Sequence, residues 1–513
     1  MAVMKNITLY LSSKCTFFSI IIISVITLFF RFYFFPIDVP LNSDALTYFW
    51  YSSEISQIGE LPKNWTPINN GWPIFVSIFF NIFDSKDIFM LMQIQRFISV
   101  LISIAIIIPT YFLCKKFVAR KFALIGVSLV AFDPRLIINS FLGTTDPLYL
   151  LLITTSLTLF LFADKKIVYV SFVLASLATI VRGEAIVFFL VLSIIFLIRY
   201  RKEKHKVIFQ YIILLTIAIL IILPFSLYRI EITGVDGIFM RGLEGGNNLI
   251  SNLTSNEDSM NNNSVGLELF LKYLIWILIP NFIIFVPFGL FLIFKNLNFK
   301  KITIILSLII MSLPALYAYS FPALDTRYLY VLFPMFSVLA VLSIERIVGK
   351  LTKQNMIIIL IISDILLSSV LFYDYKKIDY EHEKESFEIM NNISNMINNV
   401  NSLNPVTSYF ATSQTIKQWP HTYSEMEFEQ IIIPTTNYDS LNEYITDSKG
   451  KNLTHIITDN QKGRQGFLVD IFDNENNYTY LEKIYDSKTD GFSYHVKIFK
   501  IDYEKFEDLN QKP

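Results

Sequence analysis

The 513-residue chain has little charge. Asp, Glu, Lys and Arg make up 17% of it, against 53% hydrophobic and 15% aromatic residues. A soluble protein of this length carries more charge, so the shortage points to a polytopic membrane protein. Its 43 basic and 43 acidic residues give a formal net charge of zero, which argues against a nucleic-acid binder. Cysteine is nearly absent. Cys15 and Cys114 both fall in or beside apolar runs, so no disulfide framework outside the membrane and no cysteine-based metal site is expected. His421, His455 and His495 are scattered without ligand spacing. No internal repeat and no low-complexity linker can be read. The first apolar run is too long for a signal peptide and lacks a small-residue cleavage site, so it is expected to stay as a span.

Long apolar runs are what the chain has in abundance. A crossing needs about 20 mostly apolar residues. Runs near 15–35, 88–113, 122–141, 146–163, 167–182, 184–199, 207–228, 268–294, 302–320, 327–345 and 356–373 meet that need, about eleven spans in all. The shorter run 72–83 re-enters or lies on the surface. Basic residues cluster at Lys115, Lys116, Arg120 and Lys121, at Lys165 and Lys166, and at Arg199, Arg201, Lys202, Lys204 and Lys206. Further clusters are Lys295, Lys300 and Lys301, then Arg346, Lys350 and Lys353. All fall on one side of this topology, which makes that side cytoplasmic. The N-terminus is then cytoplasmic too. The loops 36–87, 142–146, 229–267 and 321–326 face outside, as does everything after about residue 374.

The chain is expected to divide into a transmembrane part, 1–375, and an extracytoplasmic α/β domain, 376–513. The second part is polar. It reads as strands near 406–411, 431–433, 455–458 and 494–501, with a helix near 440–449. Nothing in it looks catalytic, so a structural or substrate-positioning role is expected. Sequons at Asn64, Asn252, Asn392, Asn452 and Asn477 fit an outward-facing surface.

Charges within spans are costly unless they face a cavity or a partner. Here they gather near the outer ends. Asp44 follows the first span in Ser43-Asp44-Ala45-Leu46-Thr47-Tyr48, with Tyr48, Tyr51 and Glu54 at helical spacing, then Trp65, Trp72 and Pro73. Asp133 and Arg135 interrupt an apolar run, and Asp146 opens the next. Arg182 and Glu184 mark a tight outer turn. Arg229 and Glu231 end a span, and Asp325, Arg327 and Tyr328 begin a later one. Singly, each reads equally well as helix-end snorkelling or an inter-helix salt bridge. Together they offer carboxylates that can hold a divalent cation, Mg²⁺ or Mn²⁺, or deprotonate a hydroxyl, and arginines that can clamp a phosphate. A transporter or flippase is the competing class. It predicts charges near the bilayer midplane and paired repeats of spans.

The order of these motifs resembles the GT-C superfamily of membrane glycosyltransferases, closest to the branch of protein O-mannosyltransferases and the aminoarabinose transferase of lipid A. An acid follows the first span, at Asp44. Trp72-Pro73-Ile74 begins an apolar run. Asp146-Pro147-Leu148-Tyr149 carries a second outer acid. Leu177-Ala178-Thr179-Ile180-Val181-Arg182-Gly183-Glu184 ends in Arg and an acid, and Arg327-Tyr328-Leu329-Tyr330 opens a late span. The likeness covers about residues 15–345. It implies a GT-C-like helical membrane fold and a sugar taken from a polyprenyl-phosphate or dolichyl-phosphate donor on the extracytoplasmic side, given with inversion to an acceptor hydroxyl. Asp44 would be the essential carboxylate and Asp146 the second acid. Arg327, with Arg182, Arg135 and Arg229, would meet the donor phosphate. Tyr48, Glu54, Trp72, Glu184 and Tyr328 would line the substrate. The acceptor would be a protein, a lipid or a glycan. Protein mannosyltransferases carry Asp-Glu at the first loop where this chain has Asp44-Ala45, which counts against a protein acceptor. The Trp-Trp-Asp motif of oligosaccharyltransferases is absent.

Overall fold

Lipid offers no hydrogen bonds, so an apolar run can cross a membrane only by satisfying its own backbone. The computed structural model accordingly folds the apolar runs into helices. It describes residues 14–63, 65–85, 87–162, 164–203, 205–238, 258–295, 297–320, 325–376, 378–399, 406–409, 432–435, 438–461 and 464–510. The chain forms two compact units, Met1–Phe35 with Tyr51–Lys377, and Pro36–Trp50 with Ile378–Pro513.

Among the described residues of the first unit six helices are long and apolar enough to cross a membrane: Thr16–Tyr33, Ile88–Cys114, His205–Thr233, Phe299–Tyr319, Thr326–Val348 and Gln354–Tyr375. The bent pair Arg120–Ala131 and Pro134–Phe141 makes a seventh. The expectation of eleven goes beyond this. Its other spans fall on the shorter helices Asp146–Phe160, Lys165–Val181 and Ala185–Tyr200, and on the interrupted pair Asp258–Leu278 and Phe285–Phe294. The run 72–83 becomes the short helix Gly71–Phe83.

The breaks have identifiable causes. Pro134 has no N–H to give, so the bent pair turns by 49° there. Asp133 caps the new helix, accepting from Arg135 N at 2.9 Å and Leu136 N at 3.2 Å. Thr326–Leu332 forms a 3₁₀ turn before the helix Phe333–Val348, whose first turn holds Pro334. Backbones approach closely in the interior. A Cβ on Gly289 would lie 2.0 Å from the carbonyl oxygen of Leu339, so only glycine fits where Phe285–Phe294 meets Phe333–Val348.

The unit has two distinct ends. The helices Asp146–Phe160, Lys165–Val181 and Ala185–Tyr200 run back and forth, so Phe160, Lys165 and Tyr200 share one end and Asp146, Val181 and Ala185 the other. At the first end the basic loops interlock. Arg199 donates to the carbonyls of Phe160 and Phe162, Lys165 pairs with Glu203, and the Lys116 ammonium stands 3.5 Å over the Phe162 ring. Lys300 reaches the carbonyl of Lys116 at 3.5 Å.

Among the described residues the second unit centres on a five-stranded sheet of order β2-β1-β3-β5-β4, where β1 is Val406–Tyr409, β2 Ile432–Pro434, β3 Leu453–Asp459, β4 Leu481–Asp486 and β5 Val496–Ile501. β1 pairs in parallel with β2 and β3, and β5 pairs antiparallel with β3 and β4. The helix Leu441–Lys449, capped by Ser440, lies between β2 and β3 in sequence. The strands expected near 406–411, 431–433, 455–458 and 494–501 fall on β1, β2, β3 and β5 and the expected helix on Leu441–Lys449, while β4 and the helices Gly466–Asp473 and Tyr503–Asn510 go beyond the expectation. Ala411, Ile431 and His421 lie outside the described residues. The apolar core holds Tyr444, Ile456, Leu468, Val496 and Phe499, together with Ile389 of the helix Glu381–Asn399. The segment 36–50, read from sequence as part of the transmembrane domain, groups by contacts with this unit.

Candidate active site

Three loops of the first unit converge at the end opposite the basic loops. The loop before Asp146 turns at Gly143, whose φ of +73° is open to glycine at no steric cost. Two buried donors hold its carbonyl: Trp72 Nε1 at 2.9 Å and Gln95 Nε2 at 2.8 Å. Asp146 then opens its helix with Pro147 behind it, an acid and a proline both suited to a first turn. The loop after Val181 is pressed into place by Gly71, where a Cβ would lie 2.8 Å from Val181 N. Gly183 N donates to Asn69 Oδ1 at 3.4 Å. The third loop ends at Asp325, which caps the 3₁₀ turn by accepting from Arg327 N at 2.9 Å and takes Arg327 Nε on its other oxygen.

These loops bring Asp146, Arg182 and Arg327 together. Arg182 Nη1 pairs with Asp146 Oδ1. Arg182 also forks onto Glu184, with Nη2 at 3.1 Å from Oε1 and Nε at 3.3 Å from Oε2. Arg327 Nη1 stands 3.8 Å from Asp146 Oδ2, and Thr144 donates its hydroxyl to that same oxygen at 2.8 Å. One buried carboxylate thus bridges two guanidiniums. The Arg182 guanidinium also lies 5.6 Å from the ring centres of both Tyr149 and Tyr328, a cation–π arrangement. A small pocket opens here, lined by Tyr149, Arg182, Glu184, Arg327, Tyr328 and apolar residues of the helix Phe299–Tyr319 and the 3₁₀ turn. Arg327 keeps 26% of its side chain exposed, against 12% for Arg182 and 6% for Asp146. It is the guanidinium of this group that a ligand reaches most easily.

Other expected residues lie elsewhere. Arg135 is buried, donating to the carbonyls of Trp276 and Ile279 and stacking over Trp276 and Phe372. Arg229 donates to the carbonyls of Pro67, Ile68 and Asp236. Gly237 fits beside it because a Cβ would strike the guanidinium. Trp72 is fully buried, and its indole holds the Gly143 loop. Glu54 accepts from Trp65 Nε1 at 2.7 Å. Asp44 and Tyr48 belong to the second unit, Asp44 exposed in the first turn of the helix Ser43–Ile58 and Tyr48 buried. Most of the glycine-bearing loop 229–267, including Gly242, Gly245 and Gly246, lies outside the described residues.

Tyr149 and Thr144 carry no expected role, and Asp325 was counted only among the outer carboxylates. Each had a signal. Tyr149 stands one helical turn from Asp146, and Thr144 and Asp325 stand two residues from a charge they then bond.

For a divalent cation the donor set fits poorly. Asp146 is already engaged by two arginines, and no three His, Cys, Asp or Glu side chains converge as ligands among the described residues.

No protein-family model matches the sequence, and no curated protein does. Solved structures match over most of its length. ArnT from Cupriavidus metallidurans, bound to undecaprenyl phosphate, is 9% identical over 93% of this chain and 97% of its own, with a TM-score of 0.60. The Archaeoglobus fulgidus oligosaccharyltransferase, solved with Zn and sulfate, is 13% identical over 86% of this chain and 68% of its own, at 0.59. AglB from the same organism, with an inhibitory peptide and a dolichol-phosphate, is 11% identical over 86% and 69%, at 0.55. The oligosaccharyltransferase, whose Trp-Trp-Asp motif this chain lacks, therefore shares its architecture. At such identities the likeness is one of fold: this chain shares its fold with ArnT and with the archaeal oligosaccharyltransferase.

Proposed function

We propose that this chain is an integral membrane glycosyltransferase, moving a sugar from a polyprenyl-phosphate donor to an acceptor hydroxyl on the extracytoplasmic side. The observation that carries this reading is the Asp146 carboxylate bridging Arg182 and Arg327 beside a pocket walled by Tyr149 and Tyr328. Polyprenyl-phosphate carriers are bound by two proteins of the same fold, dolichol-phosphate by AglB and undecaprenyl phosphate by ArnT.

The chemistry asks little covalent work of the protein. Asp44 takes the proton of the acceptor hydroxyl as its oxygen attacks the anomeric carbon. The bond from that carbon to the phosphate oxygen breaks, and the configuration inverts. The phosphate leaves with the bonding pair and one more unit of negative charge, which Arg327 meets. Arg182 holds Asp146 so that Arg327 keeps its aim, while Asp325 fixes the guanidinium plane. Phosphate is a good leaving group, so positioning and charge neutralisation supply most of the rate. Arg135 and Arg229 act at a distance, each stapling loop or helix-end carbonyls. Tyr328 and Glu184 line the donor, and Trp72 orients the Asp146 loop. A hexose donor of the mannosyl type follows from the motif likeness, and a protein acceptor is disfavoured by Ala45.

The test is turnover. Purified protein in lipid is incubated with radiolabelled polyprenyl-phosphate sugars, and free polyprenyl phosphate is scored for wild type and Asp44→Asn. One donor consumed by wild type and spared by Asp44→Asn is the expected result. Binding without turnover favours a flippase, and no binding of any donor defeats the reading. The same assay in EDTA decides whether Mg²⁺ or Mn²⁺ takes part.

A further inference from the structure

The residue before Asp44 is in an unusual conformation. Ser43 opens the helix Ser43–Ile58 with φ +51°, a left-handed setting that a residue with a side chain keeps only when its surroundings impose it. Within the second unit this loop meets the helix Glu381–Asn399. Asn42 Nδ2 donates to Glu383 Oε1 at 3.3 Å, and Asp38 Oδ2 stands 3.7 Å from Lys384 Nζ. Both partners lie in the first turn of the helix Glu381–Asn399. The Asp38 pair is exposed and therefore weak, which leaves Asn42–Glu383 as the more directional tie.

The same helix turn is anchored on its other side. Glu385 accepts from Ser493 N at 2.8 Å and Tyr494 N at 2.7 Å, the backbone that leads into β5. Tyr494 in turn donates its hydroxyl to Asp459 at the end of β3, where Arg464 forks onto the carboxylate. Residues two apart on a helix do not face the same way. Glu383 therefore reaches the loop while Glu385 reaches the sheet, and the helix turn joins the two.

We propose that the first turn of the helix Glu381–Asn399 is the positioning element for the loop that carries Asp44. Glu383 is the positioning residue on the loop side, and Glu385 fastens that grip to the sheet. The C-terminal domain thereby fixes where the essential carboxylate stands. That last step rests on the transferase reading above. The grip itself does not.

Two isosteric changes test it in the full chain in lipid. Asn42→Asp sets a carboxylate against Glu383 and breaks the tie. Adding Glu383→Gln restores a hydrogen bond with donor and acceptor exchanged. Amide hydrogen exchange over residues 36–50, measured without any sugar donor, is expected to rise about tenfold in Asn42→Asp and to return within about twofold of wild type in the double variant. With a donor in hand, kcat falls and recovers in the same order while the donor KM stays constant. Unchanged exchange in Asn42→Asp, or no recovery in the double variant, overturns the proposal. Exchange that follows the expected pattern in a protein whose wild type consumes no donor upholds the grip and removes the transferase reading alone. If Asn42→Asp also loosens β3 and β5, Glu385→Gln decides. Faster exchange in both the loop and residues 493–496 upholds the chain of contacts, and an unmoved loop overturns it.

Discussion

At the residue scale the site turns on one carboxylate shared by two arginines. Asp146 is 6% exposed and Arg182 12%, so neutralising the acid leaves a buried guanidinium beside Glu184. Breaking a buried pair from one side costs about 3–5 kcal/mol. Asp146→Asn is therefore expected to lower both the thermal stability and the turnover of the purified enzyme. Arg327→Lys separates the two effects. The charge stays but the planar fork is lost, so donor KM rises about tenfold while the melting temperature holds. Equal loss of stability in both variants would make Arg327 a structural ion pair. Part of this site was legible in the sequence. Asp146, Arg182, Glu184, Arg327 and Tyr328 were all singled out, and the fold brings them together. Trp72, Arg135 and Arg229 were singled out on the same grounds, yet Trp72 and Arg135 donate to backbone carbonyls, and Arg229 to backbone carbonyls and the Asn70 side chain. An arginine that will meet a ligand and one that will cap a loop look alike in a sequence. The difference lies in which carbonyls the fold leaves within reach.

At the element scale, run length predicted the helices well where a run is uninterrupted and poorly where it breaks. The span near 122–141 was read as one element. Pro134 and the Asp133 cap divide it, and only tertiary packing decides whether such a break bends a span or ends it. In the sheet, alternation found β3 and β5, and their pairing sets His455 opposite Lys500. Burial, with Lys500 adding to it, pushes the His455 imidazole down to about 4, while its Nδ1 lies 2.7 Å from the Thr454 hydroxyl. A histidine held neutral in the fold but free to charge when unfolded adds stability that is complete above its unfolded value of about 6.5. That stability drains away as pH falls towards 4. Thermal melts of the sheet domain's transition should thus drop in temperature across that interval, and His455→Gln should flatten the drop. A wild-type profile already flat there would place the imidazole in water in both states.

At the scale of the whole molecule the question is which way the chain faces. The loops rich in lysine and arginine interlock at one end of the helical unit, through Arg199, Lys165, Lys116 and Lys300. The loops that carry Asp146, Arg182 and Arg327 meet at the opposite end, pinned there by Trp72, Gln95 and Asn69. The sequence could give this polarity because charge asymmetry is a property of loops, needing no knowledge of how helices pack. It could not give the crossing of each short helix. Asp146–Phe160, Lys165–Val181 and Ala185–Tyr200 have 15, 17 and 16 residues, near the lower limit for a span. Orientation follows if basic loops stay inside. Cysteines placed at Lys300 and Lys350 should then label with a membrane-impermeant maleimide only after the membrane is opened, and a cysteine at Asn477 in intact cells. Arg182 and Arg327 would in that case face the leaflet from which a polyprenyl-phosphate sugar is drawn. Labelling of Lys300→Cys in intact cells would reverse the topology, put the Asp146 group on the cytoplasmic face, and remove the physical reason for a lipid-linked donor, because soluble nucleotide sugars are at hand on that side.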